Sequence, residues 1–154
     1  MSETGIKIEY AAPEDAETIC DFQLKMALET EDKILDSSIV LPAVRAVFED
    51  PRRGFYMVAR DGENVVGCLL ITYEWSDWRN CDIWYFQSVF VEQEYRGRGI
   101  FTLMYERIME LAREADIMFV RLFVEVENDR AQRTYERLGM KKMPYYMYDV
   151  KLRD

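Results

Sequence analysis

The sequence predicts a mixed α/β fold in which helices cover both faces of a central mixed, mostly antiparallel sheet. Segments with strand-like and helix-like apolar spacing alternate along the chain in the order β-α-α-β-β-β-α-β-α-β. Three strand-like segments follow one another, and helices connect the strands on either side of them. Consecutive strands favour antiparallel hairpins, and strands connected by helices favour parallel pairing. Together they predict a mixed sheet with helices on both faces.

The first strand and two helices lie before residue 50. IKIEY (6–10) alternates as a strand, and Pro13 opens a helix that runs to about Leu28. Asp36 is the expected N-cap of a second helix, in which two apolar repeats predict burial on a broad face. The residues expected inside on the first helix are Ala16, Ile19, Cys20, Gln23, Met26 and Ala27.

Three consecutive strands form the middle of the chain. DPRRG ends the second helix and FYMVAR follows it as a strand. DGEN is a hairpin turn before the strand VVGCLLITYEW, and SDWRN leads to the long aromatic strand CDIWYFQSVFV.

A helix from about Gly99 to Ala115 comes next, and its apolar spacing predicts a buried face. MFVRLFVEV then predicts a strand, Asn128 caps a short helix that ends at Gly139, and MPYYMYDV predicts a final strand. An exposed edge strand pairs readily with a second copy, so we expect a homodimer. The residues expected inside on the long helix are Ile100, Leu103, Met104, Ile108, Leu111 and Ala112.

Composition narrows the possible functions. The 154 residues are expected to form one domain over 1–154. Lys and Arg total 20 against 29 Asp and Glu, a net charge of -9 that argues against a nucleic-acid binder. Histidine is absent, which excludes a Ser-His-Asp mechanism and histidine-ligated metal, and the cysteine spacing predicts no metal site.

The expected location is cytoplasmic. No apolar run approaches the ~20 residues that span a bilayer, and MSETGIKIEY lacks the features of a signal peptide. Three scattered cysteines, Cys20, Cys68 and Cys81, are typical of reduced thiols.

The stretch EQEYRGRGIFTLMYERI (92–108) places glycines and arginines directly before the long helix. Amides at a helix start carry partial positive charge, and glycine lets an anion approach the backbone. The N–H groups of Arg98, Gly99, Ile100 and Phe101 are therefore candidates to converge on a pyrophosphate. Arg96 and Arg98 would add charge, and Thr102 a hydroxyl. A strand-to-helix turn with exposed arginines explains the same pattern without a ligand.

These residues resemble a known family. VFVEQEYRGRGIFTLMYERI is similar to motif A of the GNAT N-acyltransferases, Arg/Gln-x-x-Gly-x-Gly/Ala, with Arg96, Gly99 and Phe101 on its fixed positions. Phe101 departs from the usual Gly or Ala. NDRAQRTYERLGMKKMPYYMY resembles motif B, and EWSDWRNCDIWYFQSVFV resembles a bacterial GNAT subgroup with a Glu-x-Ser-Asp-Trp-Arg hairpin.

The resemblance implies acetyl coenzyme A as the cofactor and a direct transfer to an amine. The Val89 N–H would polarise the thioester carbonyl, and Tyr135 would protonate the departing thiolate. Spacing alone also allows Tyr135 to be a core residue, one turn after Ala131. The implied cofactor-binding residues are Val89, Phe90, Val91, Arg96, Gly97, Arg98, Gly99, Ile100, Phe101, Thr102, Asn128 and Tyr135.

An acceptor amine must lose a proton before it attacks, and without histidine a carboxylate or water must take that proton. Glu74 is the first candidate, on a strand face shared with Thr72 and Leu70. Many members of the family have a glutamate base near the position of Gln87, but glutamine cannot act as a base. The alternative bases are Asp77, Asp82 and Glu92.

The acceptor is expected at the aromatic hairpin, with Asp77 and Arg79 paired at its tip. The resemblance also places Glu29, Glu31 and Asp32, in the link between the first two helices, on the acceptor side, where their charge would suit a cationic amine. Ordinary strand packing explains the aromatic residues, and a solvated loop explains the acidic ones. The expected substrate-binding residues are Glu74, Trp75, Asp77, Trp78 and Gln87. 

Three classes of function remain open. The favoured one is an acetyl-coenzyme-A-dependent N-acetyltransferase acting on a primary amine of a small molecule or peptide. A non-catalytic acyl-coenzyme A sensor and a ligand-free interaction domain are the alternatives.

Overall fold

A computed structural model describes residues 5–154. Residues 1–4 lie outside the described residues. They are part of the N-terminal stretch whose sequence predicts no signal peptide. The chain divides into two compact units, Met1–Leu122 and Phe123–Asp154, which we describe in turn. The expected single domain over 1–154 stays a prediction.

The described residues of the first unit form five strands and three α-helices. The helices are α1 (Ala16–Glu31), α2 (Ser37–Glu49) and α3 (Ile100–Glu114), and short 3-10 turns cover Pro13–Asp15 and Gln93–Tyr95. The strands are β1 (Ile6–Tyr10), β2 (Phe55–Asp61), β3 (Asn64–Ser76), β4 (Cys81–Val91) and β5 (Val120–Leu122).

The five strands form one sheet in the order β1-β2-β3-β4-β5. The first four pair antiparallel, and β5 lies parallel to β4. The β4–β5 ladder extends only from Trp84 to Phe86, so residues 87–91 have no strand partner on that side among the described residues. The predicted mixed, mostly antiparallel sheet is confirmed.

Helices cover both faces of this sheet. On one face, buried α3 residues such as Met104 and Ile108 pack on Met57 and Leu69. On the other face, Ile19 and Phe22 of α1 and the single buried residue of α2 pack against Tyr56, Val58, Cys68 and Phe90. Burial of this apolar surface, at about 25 cal/mol per Å², provides the main driving force for folding.

A β-bulge interrupts the pairing of β3 with β4. Leu70 pairs with Ser88 and Ile71 with Phe86, so Gln87 is an extra residue on β4. Because side chains alternate along a strand, the bulge reverses the alternation. Phe86 before it and Val89 after it therefore both face α3.

Two predictions about this unit are wrong in part. Only Val44 of α2 is buried, and Ile39 is 68% exposed, so the broad buried face predicted for α2 is not observed. The strand predicted at MFVRLFVEV is reduced to Val120–Leu122. Apolar spacing identified these segments, but burial and pairing depend on which neighbours cover them.

The second unit contains α4 (Asp129–Arg137). The Asn128 side chain accepts a hydrogen bond from the Ala131 N–H at 3.1 Å, which confirms the predicted N-cap. The final strand predicted at MPYYMYDV is wrong, because the described residues after Leu122 form no strand. Tyr145, Tyr146 and Tyr148 are nevertheless strongly exposed. No helix in the described part of the chain combines the length and apolar character that crossing a bilayer requires.

Candidate active site

The connection from β4 to α3 contains two glycines with left-handed backbones. Gly97 has φ 78° and Gly99 has φ 76°, a region that costs other residues roughly 1–2 kcal/mol. An added Cβ at either position would meet no atom within 4 Å. These glycines therefore set the backbone path and leave open space beside it. We call residues 96–99 the glycine turn.

Helix α3 begins at the glycine turn without a side-chain cap. Gly99 is the N-cap residue and has no side chain to accept from the first amides, while the Leu103 N–H bonds to the Gly99 carbonyl at 3.1 Å. Ile100 is buried and anchors the helix start to the core. Amides before Leu103 have no acceptor within the helix, and together with the helix dipole they favour an anion.

The two arginines of the turn have separate environments. The Arg96 Nε donates to the Val91 carbonyl at 2.8 Å, and its guanidinium contacts Glu29 at 2.7 Å. Arg98 is exposed and lies over the Tyr95 ring, 4.8 Å from its centroid. Arg96 therefore connects the turn to β4 and α1, whereas the guanidinium of Arg98 is exposed to solvent.

Two ion pairs join α1 to the chain after β4. Lys25 contacts Glu92 at 3.0 Å, and Glu29 contacts Arg96 at 2.7 Å. Residues 25 and 29 lie one helical turn apart on the same face. Sequence reasoning missed this connection, because charges at this spacing on α1 do not reveal which distant loop they contact.

Phe101, the residue that departs from the family motif, belongs to an aromatic cluster. Its ring centroid is 6.5 Å from Phe86 and 6.2 Å from Tyr105, and the rings of Phe86 and Tyr105 stack at 6.1 Å. The side chain packs toward the sheet, so its bulk is accommodated next to the turn.

The predicted backbone segment Val89–Val91 lies at the end of β4. Val89 pairs with Leu69 of β3, and Phe90 is buried against α1. Since the β4–β5 ladder ends at Phe86, this segment borders an unpaired side of the sheet within the described residues.

Glu74 contacts two polar neighbours on the α1–α2 face of the sheet. The Tyr85 hydroxyl donates to its carboxylate at 3.2 Å, and Arg121 lies 3.8 Å away. Glu74 lies five positions after Leu69, the β3 residue that pairs with Val89, and five positions correspond to roughly 16 Å along a strand. The structure therefore places Glu74 and Val89 apart.

The other predicted acceptor residues lie on the hairpin or at the bulge. Trp75, Asp77 and Trp78 are exposed, and so is Gln87. The expected Asp77–Arg79 pair is wrong: Arg79 donates to the Ser76 hydroxyl at 3.3 Å and lies over the Phe119 ring. The turn thus presents Asp77 to solvent.

Tyr135 lies on α4 in the second unit. Its backbone carbonyl accepts from the Met140 N–H at 3.0 Å, which fixes the chain after the helix. Burial raises the pKa of the Tyr135 phenol above its usual value. A phenol in this state keeps its proton over a wider pH range and is also a weaker acid.

Comparison with proteins of known sequence gives related acetyltransferases. Bovine thialysine N-epsilon-acetyltransferase is 33% identical over 82 residues, which cover 53% of this chain and 48% of that protein. An uncharacterized N-acetyltransferase of Methanocaldococcus jannaschii is 31% identical over 90 residues, covering 58% of this chain and 39% of the relative. The chain thus spans less than half the length of these curated relatives.

Comparison with solved structures extends over almost the whole chain. A possible acetyltransferase from Clostridium difficile 630 is 39% identical with a TM-score of 0.91, covering 97% of this chain and 99% of that one. The model of the acetyltransferase (GNAT) family matches residues 17–140, which include both the glycine turn and α4. This chain therefore belongs to the acetyltransferase (GNAT) family.

Proposed function

We propose that the protein transfers an acetyl group from acetyl coenzyme A to a primary amine of a small molecule or peptide. The observation that carries this proposal is the uncapped start of α3 beside two left-handed glycines. The glycine turn coincides with the family's motif and offers backbone amides and open space to a diphosphate. The name of the bovine relative, an N-epsilon-acetyltransferase, supports an amine acceptor.

The residues fit the cofactor in charge and in available backbone groups. Amides of the glycine turn and first turn of α3 would bind the diphosphate, and Arg98 would add positive charge. Backbone groups of Val89 and Val91 would pair with the pantetheine arm along the side of β4 that β5 leaves unpaired. In this proposal Arg96 acts indirectly, because its contacts with Val91 and Glu29 position the turn.

When bound, acetyl coenzyme A supplies an activated thioester. We assign the Val89 N–H to stabilise negative charge on the carbonyl oxygen, as in an oxyanion hole. Tyr135 would donate its proton to the leaving sulfur, and burial raises the pKa of its phenol, so the side chain is protonated at neutral pH. Transfer in one step leaves no acyl group on the protein.

The acceptor amine must reach the acetyl group as a free base. A separation of roughly 16 Å along β3 keeps Glu74 from touching an amine near Val89, so Glu74 would receive the proton through water. Gln87 lies nearer, but its amide takes no proton at neutral pH. We therefore propose Glu74 as the end of a water chain rather than as a base in direct contact.

Turnover is the direct test. The protein is incubated with acetyl coenzyme A and a panel of primary amines, and release of free thiol is measured across pH. We expect thiol release that requires both components. Binding of the coenzyme without turnover of any amine would instead favour the non-catalytic sensor. The exposed Gln87 near Val89 supports this second candidate, because glutamine cannot act as a base.

A pair of glycine substitutions tests the site itself. Gly99→Ala should raise the KM for acetyl coenzyme A about 10-fold or more, because a Cβ enters the open space and one amide contact with a charged group is lost. It should also reduce stability by about 1 kcal/mol through the left-handed backbone.

Gly62→Ala is the matched control. Gly62 has φ 59°, and its added Cβ also meets no atom within 4 Å, but it lies in the β2–β3 hairpin. Equal KM values for the two variants would contradict a coenzyme site at the glycine turn, since both carry the same backbone strain.

A further inference from the structure

An open groove of about 460 Å³ lies on the α3 face of the sheet, at the opposite end of α3 from the glycine turn. Four aromatic side chains line it: Tyr10, Phe55, Tyr73 and Trp84. Helix α3 has 15 residues, so roughly 21 Å separates its two ends. The groove is therefore distinct from the proposed coenzyme site. We call it the aromatic groove.

The four rings are held as a contiguous set. Phe55 makes edge-to-face contacts with Tyr10 at 5.5 Å and with Trp84 at 5.2 Å. The Tyr73 centroid is 6.3 Å from both Phe55 and Trp84. Tyr10 is 55% exposed, whereas Trp84 is 8% exposed, so the set runs from the core to the surface.

The remaining walls favour positive charge. The exposed Glu114 and the end of α3 line the groove, and no Lys or Arg of the described residues 5–154 does. The C-terminal end of a helix carries partial negative charge. The amides of Asp116 and Ile117 bond to Arg113 and Ala112, which leaves the Glu114 and Ala115 carbonyls without a backbone donor among the described residues.

The chain's own cations do not occupy these rings. In the described part of the chain, five cationic side chains lie over aromatic rings, and those rings are Phe22, Phe90, Tyr95 and Phe119. Among the described residues, the lining of the aromatic groove thus includes four aromatic residues, the acidic Glu114 and the C-terminal end of α3, and it includes no Lys or Arg. Such a set attracts alkylated ammonium groups, because the ring quadrupole, the carboxylate and the carbonyl dipoles all favour positive charge.

We propose that the aromatic groove is a second ligand site, which binds a small organic cation with an alkylated ammonium group. Its volume lies within the range of small-molecule sites, about 300–1,000 Å³. The site goes beyond the proposed acetyl transfer, because none of its residues belongs to the proposed catalytic or coenzyme-binding set.

Choline chloride is a suitable probe, and its neutral carbon isostere, in which tert-butyl replaces trimethylammonium, is the matched control. Both are titrated into the protein while the amide signals of Gly54 and Ala115 and the Trp84 indole signal are followed by NMR. We expect saturable shifts with choline and a Kd about 5- to 30-fold weaker for the isostere.

Two pairs of variants locate the site. Tyr10→Leu removes an exposed ring and should weaken choline binding about 3- to 10-fold, whereas Tyr10→Phe keeps the ring and should preserve the affinity. Glu114→Gln should weaken binding about 2- to 5-fold. Glu110→Gln, one turn earlier on α3 where the carboxylate pairs with Arg107, should leave it unchanged.

Three results would overturn the proposal. They are equal affinity for choline and its isostere, no saturable shift up to about 50 mM choline, and unchanged binding after Tyr10→Leu in a protein with a native-like spectrum. A site with Kd on the order of 1 mM would be nearly saturated at that concentration, so absence of a shift is decisive.

Discussion

At the glycine turn, individual residues have different roles, whereas the sequence pattern assigned diphosphate binding to all of them. Gly97 and Gly99 adopt backbone angles that other residues tolerate poorly. Arg96 instead fixes the turn to Val91 and Glu29. Substituting Arg96 would therefore disturb the geometry of the turn, not only its charge.

Tyr135→Phe is expected to lower kcat by on the order of 100-fold, at the lower end of the range for general acid catalysis. The effect is limited because a thiol, with a pKa of roughly 8.5, leaves more easily than an amine. Steady-state kinetics and coenzyme A titration measure kcat and binding separately, and the binding should be unchanged.

The pH profile supplies the control for this assignment. Burial raises the pKa of Tyr135, so the wild-type rate should not fall through loss of its proton until the pH exceeds the ordinary phenol value of about 10. An unchanged kcat in the variant would contradict its role as the acid.

Glu74→Gln is expected to change the limb of the pH–rate profile on which activity rises with pH, because the variant cannot accept a proton. The expected loss in kcat is about 10-fold, since solvent can replace the end of a water chain. Asp77→Asn tests the alternative base on the exposed hairpin tip, and Glu63→Gln in the β2–β3 turn is the matched control. If the pH–rate profile of Glu74→Gln is identical to that of the wild type, Glu74 does not take part in proton transfer.

At the scale of elements, α4 depends on its cap. Asn128→Ala should reduce the free energy of unfolding by about 1 kcal/mol, because the Ala131 N–H loses its acceptor. Asn128→Ser should retain most of this stability. Urea denaturation measures both variants.

The same pair separates capping from cofactor binding. If Asn128 serves only as a cap, the serine variant keeps the wild-type KM for acetyl coenzyme A. A raised KM in that stable variant would assign Asn128 an additional contact with the coenzyme, as the resemblance to motif B implied.

Apolar spacing and turn residues correctly predicted the helices and strands whose packing partners are close in sequence. The α3 periodicity correctly predicted buried Ile100, Met104 and Ile108, and the hairpin turns predicted the antiparallel strands. The final strand failed because a strand also needs a hydrogen-bonded partner, which local spacing does not reveal. The exposure of α2 and the pairing of Glu29 with Arg96 likewise depend on contacts between distant residues.

At the scale of the whole molecule, net charge and proposed ligand have the same sign. The chain carries -9, and coenzyme A is a polyanion, so affinity must come from local groups such as the amides at the start of α3. The acidic balance suits a cationic acceptor, which long-range attraction would steer toward the protein.

Coenzyme A at about 100 times its Kd should stabilise the protein by about 2.7 kcal/mol, a rise in Tm of about 5–10 °C. Differential scanning fluorimetry measures the shift, and Gly99→Ala should reduce it relative to Gly62→Ala. Absence of any shift in the wild-type protein would support the ligand-free interaction domain. Light scattering tests the expected homodimer, whose predicted edge strand the structure lacks.

The bulge at Gln87 also constrains how the chain can change in length during evolution. Removing that residue would restore regular pairing with β3 and leave the following side chains on their present faces, with Val89 toward α3 and Phe90 toward α1. The two tightly packed layers would therefore keep the same side chains. We therefore expect relatives that lack this one residue to keep the same core, whereas an insertion in the regular part of β4 would move the following side chains to the other face unless it formed a second bulge.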